Sequence, residues 1–321
     1  MDYFGFEREL DHLGFFATSE HSHLEKELQR IIRQGRLVAL SGIVGCGKTT
    51  TIGRLQNHLK QGKQVIVSRS LAVDKERVSL NTLIAALLYD LSAEEDGQMP
   101  TQPERRERKL LSLIEKCRQP VVLFVDDAHG LHNQTLVRLK RLIELVRQDG
   151  GTLSVVLAGH PKLKNDLRRP TLEEIGARAT VFSLDGIRGR QQEYIEWVLQ
   201  EATSQGTQST ELLTEEALVF LAERLVTALQ IEQYLTLVFE AAYRVGQKPV
   251  TKDILATTLA HGLDDLEPHL VRHGYNVKIL ADLLNVRQKE VRSFLHGQLP
   301  PGRTQELREQ MLHLGIPLLA S

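Results

Sequence analysis

The sequence predicts an α/β fold built on a parallel sheet, and three short apolar runs support this prediction. The runs are 37–40, 121–125 and 153–158. The first two are continuously apolar and the third is interrupted only by Ser154, a pattern typical of strands buried on both faces of a parallel sheet. Functional side chains in such folds gather where the strands end. The residues that follow each run are therefore the first candidates for a functional site.

The first run leads into a glycine-rich segment and then into a helical stretch, 50–60. This segment matches the phosphate-binding loop pattern over Gly42, Ile43, Val44, Gly45, Cys46, Gly47, Lys48 and Thr49. Glycines let backbone N–H groups approach phosphates, and a helix N-terminus adds positive potential. We expect Lys48 to reach the β and γ phosphates and Thr49 to hold Mg²⁺, with Thr50 completing the nucleotide-binding segment.

The second run ends in two aspartates, Asp126 and Asp127, an arrangement typical of a Walker B motif. We expect Asp126 to hold Mg²⁺, directly or through a water, and Asp127 to polarise the water that attacks the γ phosphate. Aspartate is one methylene shorter than the glutamate common at the second position. Because its carboxylate reaches the water less well, we expect slow hydrolysis.

Two further polar residues follow in the predicted sheet region. His160 stands at the end of the third run, and Arg178 lies between a short predicted helix and a further predicted strand. An arginine at this place can enter the nucleotide site of a neighbouring subunit and stabilise transition-state charge. A surface ion pair explains Arg178 equally well. His160 can equally be a loop residue whose hydrogen bonds are satisfied.

Composition limits the class of protein. The 321 residues are long enough for two or three domains, and a net charge of −1 gives no global basic signature for nucleic acid. The two cysteines, Cys46 and Cys117, provide no basis for a disulfide framework or a cysteine zinc site. No apolar run reaches the roughly 18 residues that a spanning helix needs, and no signal-peptide layout is visible. These features predict a cytoplasmic protein without a membrane partner.

The order and spacing of the motifs resemble an AAA+ ATPase, and finer features resemble the ExeA-like group. These finer features are short segments in the first part of the chain: Tyr3-Phe4-Gly5-Phe6, Ser22-His23, Ala158 to Leu163 and Leu167 to Pro170. The group and its relatives, the Mu B, IstB and TnsC or TniB ATPases, include ATP-dependent target-DNA selectors of bacterial transposons. The resemblance covers roughly residues 1–261.

This resemblance implies ATP and Mg²⁺ as cofactors. It implies double-stranded DNA, a transposase or integrase, and further copies of the chain as partners, in a ring or helical filament that is hexameric per turn. It also implies that His160 senses the γ phosphate. The region after the second strand would line a DNA channel, with Arg69, Lys75 and Arg77 as candidate phosphate contacts. A solvated loop explains these three residues equally well.

Two departures from the family pattern stand out. Asp127 replaces the usual glutamate, and Gln230 stands near the place where an arginine of the helical lid is expected. The first departure agrees with the expectation of slow hydrolysis. The second puts the sensing role of the lid in doubt.

The last part of the chain fits a helix-turn-helix and resembles Cro or repressor-type domains. Apolar residues line one face of a helix ending near Asn285, which tolerates the left-handed turn conformation, and one face of the next helix. Residues 268–321 hold seven basic against four acidic side chains, a net charge of +3. Arg303 is a further phosphate candidate, and the expected DNA contacts are Arg287, Gln288, Lys289 and Arg292. The alternative is a helical domain that docks on the transposase or on neighbouring subunits.

The complete prediction is a P-loop NTPase of the AAA+ type, with a parallel sheet flanked by helices, a helical lid and a small helix-turn-helix domain. The expected segments are a lead-in at 1–30, the nucleotide-binding core at 31–190, the lid at 191–262 and the helix-turn-helix at 263–321. The expected function is ATP-dependent assembly on duplex DNA that regulates transposition. The alternatives are an ExeA-type secretion ATPase and an ATP-switched transcription regulator.

Overall fold

The computed structural model describes residues 2–11, 13–70, 78–92, 100–203, 208–259 and 265–319. The chain divides into two compact units. The sheet unit comprises Thr18–Gly42 and Lys48–Leu184, and the helical unit comprises Met1–Ala17, Ile43–Gly47 and Asp185–Ser321. The predicted phosphate-binding loop therefore has its two ends in the sheet unit and its centre in the helical unit.

A five-stranded sheet forms the middle of the sheet unit, with the order β2-β3-β4-β1-β5 and all pairs parallel. Every residue of β1, β3 and β4 is buried, so the prediction of strands covered on both faces is confirmed for the three apolar runs. The strands are β1 (Leu37–Ser41), β2 (Ile66–Arg69), β3 (Val121–Val125), β4 (Leu153–Gly159) and β5 (Thr180–Ser183).

Helices accompany the strands in the sheet unit. The side-chain oxygens of Thr18 and Ser79 accept hydrogen bonds from the first turns of α1 and α3, which explains where these helices begin. The helix predicted at 80–91 has these same bounds in the structure. The helices of this unit are α1 (Ser19–Ile32), α2 (Lys48–Gly62), α3 (Leu80–Leu91), α4 (Pro103–Cys117), α5 (Asn133–Gln148), α6 (Pro161–Leu167) and α7 (Glu173–Gly176).

The strand β2 begins later than the apolar pattern predicts. The pattern predicts a strand at 64–68, whereas pairing with β3 begins at Ile66, opposite Val121. Lys63, just after α2, has a φ of 50° in the left-handed region. The chain leaves the helix through this turn, and two residues pass before it reaches the sheet.

The carboxyl ends of three neighbouring strands lie side by side. Ser41 at the end of β1 is opposite Gly159 at the end of β4, and Val125 at the end of β3 is opposite Leu157 of β4. In a parallel sheet all these ends share one edge. The segments that follow β1, β3 and β4 are therefore brought together at that edge, as the sequence predicts.

The helical unit includes the first residues of the chain. Phe4 and Phe6 are buried against Phe239, with ring centroids 4.9 and 4.8 Å apart. The predicted lead-in at 1–30 thus contributes to both units, because α1 belongs to the sheet unit. The next helices of the unit are α8 (Gln191–Ala202), α9 (Ser209–Leu212), α10 (Glu215–Arg224), α11 (Ala228–Val245) and α12 (Lys252–Leu259).

The helix α11 begins two residues before its predicted start at Gln230. The Thr227 side chain accepts the Gln230 N–H at 3.3 Å, and the Gln230 side chain accepts the Thr227 N–H at 3.3 Å. This reciprocal pair is a capping box. Gln230, which stands where the family pattern expects an arginine, is therefore engaged in capping its own helix.

Four helices end the chain and share a core of their own, which includes Leu280, Leu284, Val291 and Phe294. The helices are α13 (Leu266–Arg272), α14 (Val277–Leu284), α15 (Gln288–Leu295) and α16 (Pro301–His313). Asn285 follows α14 with a φ of 53°, the left-handed turn conformation that the sequence predicts for it. Within the described ranges, no helix is both long enough and apolar enough to span a bilayer.

Candidate functional site

The ends of the phosphate-binding loop are anchored in the sheet unit. The Gly42 N–H donates to the Gly159 carbonyl at 3.1 Å. Lys48 is buried, and its ammonium donates to the Gly42 carbonyl at 2.8 Å. Lys48 also begins α2, and a helix N-terminus favours negative charge. A lysine ammonium and a helix N-terminus thus lie at the same end of the loop, an arrangement suited to a phosphate.

The centre of the loop packs against other residues of the helical unit. Gly45 has a φ of 80°, and a Cβ there would lie 2.7 Å from Leu229 Cβ and 2.8 Å from Thr227 Oγ1. The Leu229 N–H donates to the Gly45 carbonyl at 3.4 Å, and the Val44 N–H donates to the Arg272 carbonyl at 3.1 Å. Glycine is therefore needed at position 45 both for the backbone conformation and for the close approach of the start of α11.

The two residues expected to hold Mg²⁺ are in direct contact. Thr49 Oγ1 donates a hydrogen bond of 2.8 Å to Asp126 Oδ2. Two oxygens at neighbouring corners of an Mg²⁺ octahedron lie about 2.9 Å apart, given Mg–O distances of roughly 2.0–2.1 Å. The oxygen pair therefore fits Mg²⁺, with Thr49 and Asp126 as the residues that would hold it.

Asp127 occupies an unusual backbone conformation. Its φ is 54°, in the left-handed region, and its N–H donates to Asp126 Oδ1 at 2.9 Å. Aspartate is among the few residues other than glycine that tolerate this region. The turn sends the Asp127 side chain to an exposed position directly beyond the strand end, where it is accessible to water.

His160 lies at the N-cap of α6 and stacks on a second histidine, His129. The ring centroids are 3.8 Å apart and the planes differ by 15°. A Cβ on Gly159 would lie 3.0 Å from the His129 backbone nitrogen, so glycine permits this approach. His129 is not among the site residues that the sequence predicts. The available signal was its position shortly after the two aspartates.

Burial lowers the pKa of His129, more than the nearby Asp127 and Asp126 carboxylates raise it. Lys162 and Lys48 act in the same direction as burial. The His129 imidazole is therefore neutral at pH 7, since its ordinary pKa of about 6.5 is already below that pH.

Arg178 forms an ion pair with Glu144 of α5. Glu144 lies 3.5 Å from Lys140, which also pairs with Glu174. The Arg178 side chain remains 61% exposed, so this pair adds little stability. The ion-pair explanation of Arg178 is thus present in the structure, and the guanidinium is still accessible from outside.

The basic residues after β2 are only partly described. Arg69 is exposed, and its N–H donates to Asp90 Oδ2 at 3.4 Å. Lys75 and Arg77 lie outside the described residues. The suggested DNA channel therefore has one candidate contact, Arg69, within the described ranges.

The four expected DNA contacts of the C-terminal helices share one region. All four side chains are exposed: Arg287, Gln288, Lys289 and Arg292. Arg287 is the N-cap of α15, and the other three lie on the exposed side of this helix. Arg303 differs, because its guanidinium bonds Glu290 at 2.7 Å and Glu306 at 2.6 Å. In the structure Arg303 is thus engaged by two carboxylates, and its contact with phosphates stays a prediction.

Comparisons with known proteins concern the family and the fold of the chain. A family profile described as an AAA domain matches residues 31–167. The General secretion pathway protein A of Aeromonas hydrophila is 32% identical over 150 residues, which are 46% of this chain and 26% of that protein. The chain thus spans about a quarter of the length of this relative.

Two solved structures resemble the whole chain. Cdc6p from Pyrobaculum aerophilum has a TM-score of 0.55 at 14% identity, covering 98% of this chain and 90% of that one. The Aeropyrum pernix Orc1 protein in complex with DNA has a TM-score of 0.53 at 14% identity, covering 96% and 88%. At such identity the likeness concerns the fold. The chain has the parallel five-stranded sheet with flanking helices of the P-loop NTPase fold, followed by a helical C-terminal region.

Proposed function

We propose that this protein is an ATP-dependent, DNA-binding AAA+ ATPase that oligomerises on duplex DNA and regulates transposition through a transposase or integrase. The observation that carries the proposal is the contact between Thr49 and Asp126 beside the buried Lys48. This combination of ammonium, hydroxyl and carboxylate suits a nucleoside triphosphate and Mg²⁺.

Within this proposal, each residue of the site has a role. Lys48 and the N–H groups of the loop bind the phosphates, and His160 reads the γ phosphate. Asp127 orients the attacking water. Bound Mg²⁺ would neutralise phosphate charge at Thr49 and Asp126. Because the Asp127 carboxylate is short, turnover is slow and the ATP-bound state lasts.

The oligomeric step assigns Arg178 to the nucleotide of a neighbouring subunit. Its exposure and its weak partner Glu144 support this role, since an exposed ion pair is exchanged at little cost. Hydrolysis removes the γ phosphate, so Arg178 loses the charged group that it would contact in the neighbouring subunit. ATP acts as the switch for assembly.

A role of Arg178 in the neighbouring subunit predicts opposite effects of replacing Arg178 and its ion-pair partner Glu144. Arg178→Ala should abolish the ATP-dependent oligomer and lower turnover strongly, because arginine fingers contribute about 10³–10⁵-fold. Glu144→Ala should leave assembly intact or lower the protein concentration it requires, because Arg178 loses its competing partner. Sedimentation with a non-hydrolysable ATP analogue measures both effects. Arg141→Ala, an exposed arginine of the same helix as Glu144, serves as the control.

The DNA-binding role rests on the exposed basic side of α15. The helices α14 and α15 are joined by a turn through the left-handed Asn285 and share one core, and this arrangement suits the docking of the second helix in a major groove. The fold is also one that the Aeropyrum pernix Orc1 protein uses in a complex with DNA.

We expect Lys289→Ala together with Arg292→Ala to weaken duplex binding. If both contact phosphates, the slope of log affinity against log salt should become less steep by about 2. Fluorescence anisotropy with a short duplex over a salt series measures this slope. Arg308→Ala on α16, also exposed, should leave it unchanged. An unchanged slope in the double variant would assign α13 to α16 to protein docking instead.

The decisive experiment is size-exclusion chromatography of the protein with short duplex DNA, with and without a non-hydrolysable ATP analogue. We expect a large DNA complex only when the analogue is present. Absence of a nucleotide-dependent complex would eliminate the proposal. Deletion of residues 268–321 then separates the two DNA surfaces, because nonspecific binding that survives must come from the remaining chain.

A secretion-related ATPase of the ExeA kind is the second candidate, favoured by the identity to General secretion pathway protein A. The match covers a quarter of that protein, and the basic side of α15 suits DNA better. An ATP-switched transcription regulator is a third candidate. Specific binding of an operator-like palindrome without any transposase would favour this third one.

A further inference from the structure

Three side chains at neighbouring strand ends form a cluster of potential metal ligands. Asp127, His129 and His160 each offer one ligand atom, and these atoms all lie within 4.8 Å of one another. We propose that this cluster binds a divalent transition metal of the zinc class, at a position separate from the Mg²⁺ held by Thr49 and Asp126.

The backbone holds the three residues together. The left-handed Asp127 opens a short 3-10 turn, in which the Gly130 N–H donates to the Asp127 carbonyl at 3.1 Å. This turn brings His129 back towards the end of β4. Gly159 permits the approach, because a Cβ there would lie 3.0 Å from the His129 nitrogen and 3.3 Å from its Cβ. The stacking of His129 on His160 is therefore built into the two strand ends.

The ligand chemistry favours zinc-class metals over Mg²⁺. Mg²⁺ prefers oxygen ligands, whereas imidazole suits zinc, copper, nickel and iron. The His129 Nδ1 is buried and makes no hydrogen bond to any residue that the structure describes. A buried polar atom in this state costs free energy, and coordination through Nδ1 would satisfy it.

Coordination of one ion by both histidines requires their stacked rings to move apart. A tetrahedral zinc ion with bonds of roughly 2.0–2.1 Å holds its ligand atoms about 3.4 Å apart. The two imidazole planes differ by 15° and their centroids lie 3.8 Å apart, so the rings must tilt out of the stack before a nitrogen of each can point at one ion. The exposed Asp127 must also turn towards them. Three protein ligands leave a fourth position open for water or a phosphate oxygen.

Bound metal would interfere with hydrolysis. In the proposed function, Asp127 orients the attacking water and His160 reads the γ phosphate. A metal ion bound to both side chains would prevent both roles; this consequence rests on that proposed function. Lys48 is not among the metal ligands. The metal should therefore slow turnover and leave nucleotide binding in place.

Titration of the full chain, free of any affinity tag, with Co²⁺ or Zn²⁺ alone tests the site. We expect one metal per chain by calorimetry, the visible absorption of tetrahedral Co²⁺, and no displacement by excess Mg²⁺. His129→Ala and His129→Gln should each weaken metal binding by at least about tenfold. Loss of a residue that only hydrogen-bonds to a metal ligand already costs about 10–100-fold in affinity, and loss of a ligand should cost no less. His23→Ala, an exposed histidine of α1, should bind as the unaltered protein does. Thermal unfolding without metal shows that the variants are folded.

A second pair of histidines offers an alternative metal site, and metal binding there would contradict the proposal. His269 and His273 have ring centroids 4.5 Å apart. Metal binding that persists in both His129 variants but disappears in His273→Ala would overturn the proposal, and so would no binding at stoichiometric metal. Zinc should also inhibit turnover of the unaltered protein but not of His129→Gln. Stoichiometric binding without any turnover would support the metal site while rejecting the ATPase assignment.

Discussion

Lys48→Ala should abolish the nucleotide-dependent complex with duplex DNA. The buried ammonium lies at the start of α2, within 2.8 Å of the Gly42 carbonyl, where it can donate to phosphate oxygens. Each hydrogen bond to a charged group contributes about 1.5–3 kcal/mol, which corresponds to about 10–150-fold in affinity. Binding of a fluorescent ATP analogue and size-exclusion chromatography with DNA measure the two losses.

The matched control is Lys60→Ala, which removes an exposed lysine from the other end of the same helix. It should bind nucleotide and DNA as the unaltered protein does. If Lys48→Ala still forms the complex with the ATP analogue present, then nucleotide is not the assembly switch. Loss of the complex in Lys60→Ala as well would indicate a general effect of α2 on folding.

Asp127→Asn should lower the rate of ATP hydrolysis by about 10²–10⁴-fold, the usual contribution of a general base, and lengthen the life of the DNA complex. Asparagine tolerates the left-handed backbone with its φ of 54°, so the substitution removes the charge without straining the turn. Phosphate release under steady-state conditions and dissociation of the complex after dilution measure the two effects.

Asp127→Glu provides the opposite test. If the short carboxylate is what slows hydrolysis, a longer one should raise the rate and shorten the life of the complex. Unchanged hydrolysis in Asp127→Asn would show that another group orients the water. A faster rate in Asp127→Asn than in the unaltered protein would show that Asp127 restrains the reaction.

Much of the fold was predictable because its signals are local. The short apolar runs, one of them interrupted by Ser154, predict β1, β3 and β4, and the pattern predicts the helix at 80–91 with its observed bounds. Element ends were harder, because they depend on capping contacts. The start of α11 was placed at Gln230, whereas the capping box of Thr227 and Gln230 sets it at Ala228. The pattern marks Gln230 as a departure, and its hydrogen bonds explain it as a helix cap.

The sequence predicts the residues of the candidate site only where they form a motif of consecutive residues. The phosphate-binding loop and the two aspartates carry their pattern in consecutive residues. His129 carries no such pattern, since its role depends on contact with His160, 3.8 Å away between ring centroids. The partner of Arg178 is likewise a residue of α5, Glu144, which no local motif connects to it.

The sequence by itself determined where the phosphate-loop pattern and the carboxylates at a strand end lie, because both are properties of consecutive residues. Tertiary structure decided how those residues are combined. The sheet order brings the ends of β1, β4 and β3 to one edge, where Thr49 contacts Asp126 and where His129 stacks on His160. It also pairs Arg303 of α16 with Glu290 of α15. Such contacts arise from packing between distant segments, and no local pattern in the chain encodes them.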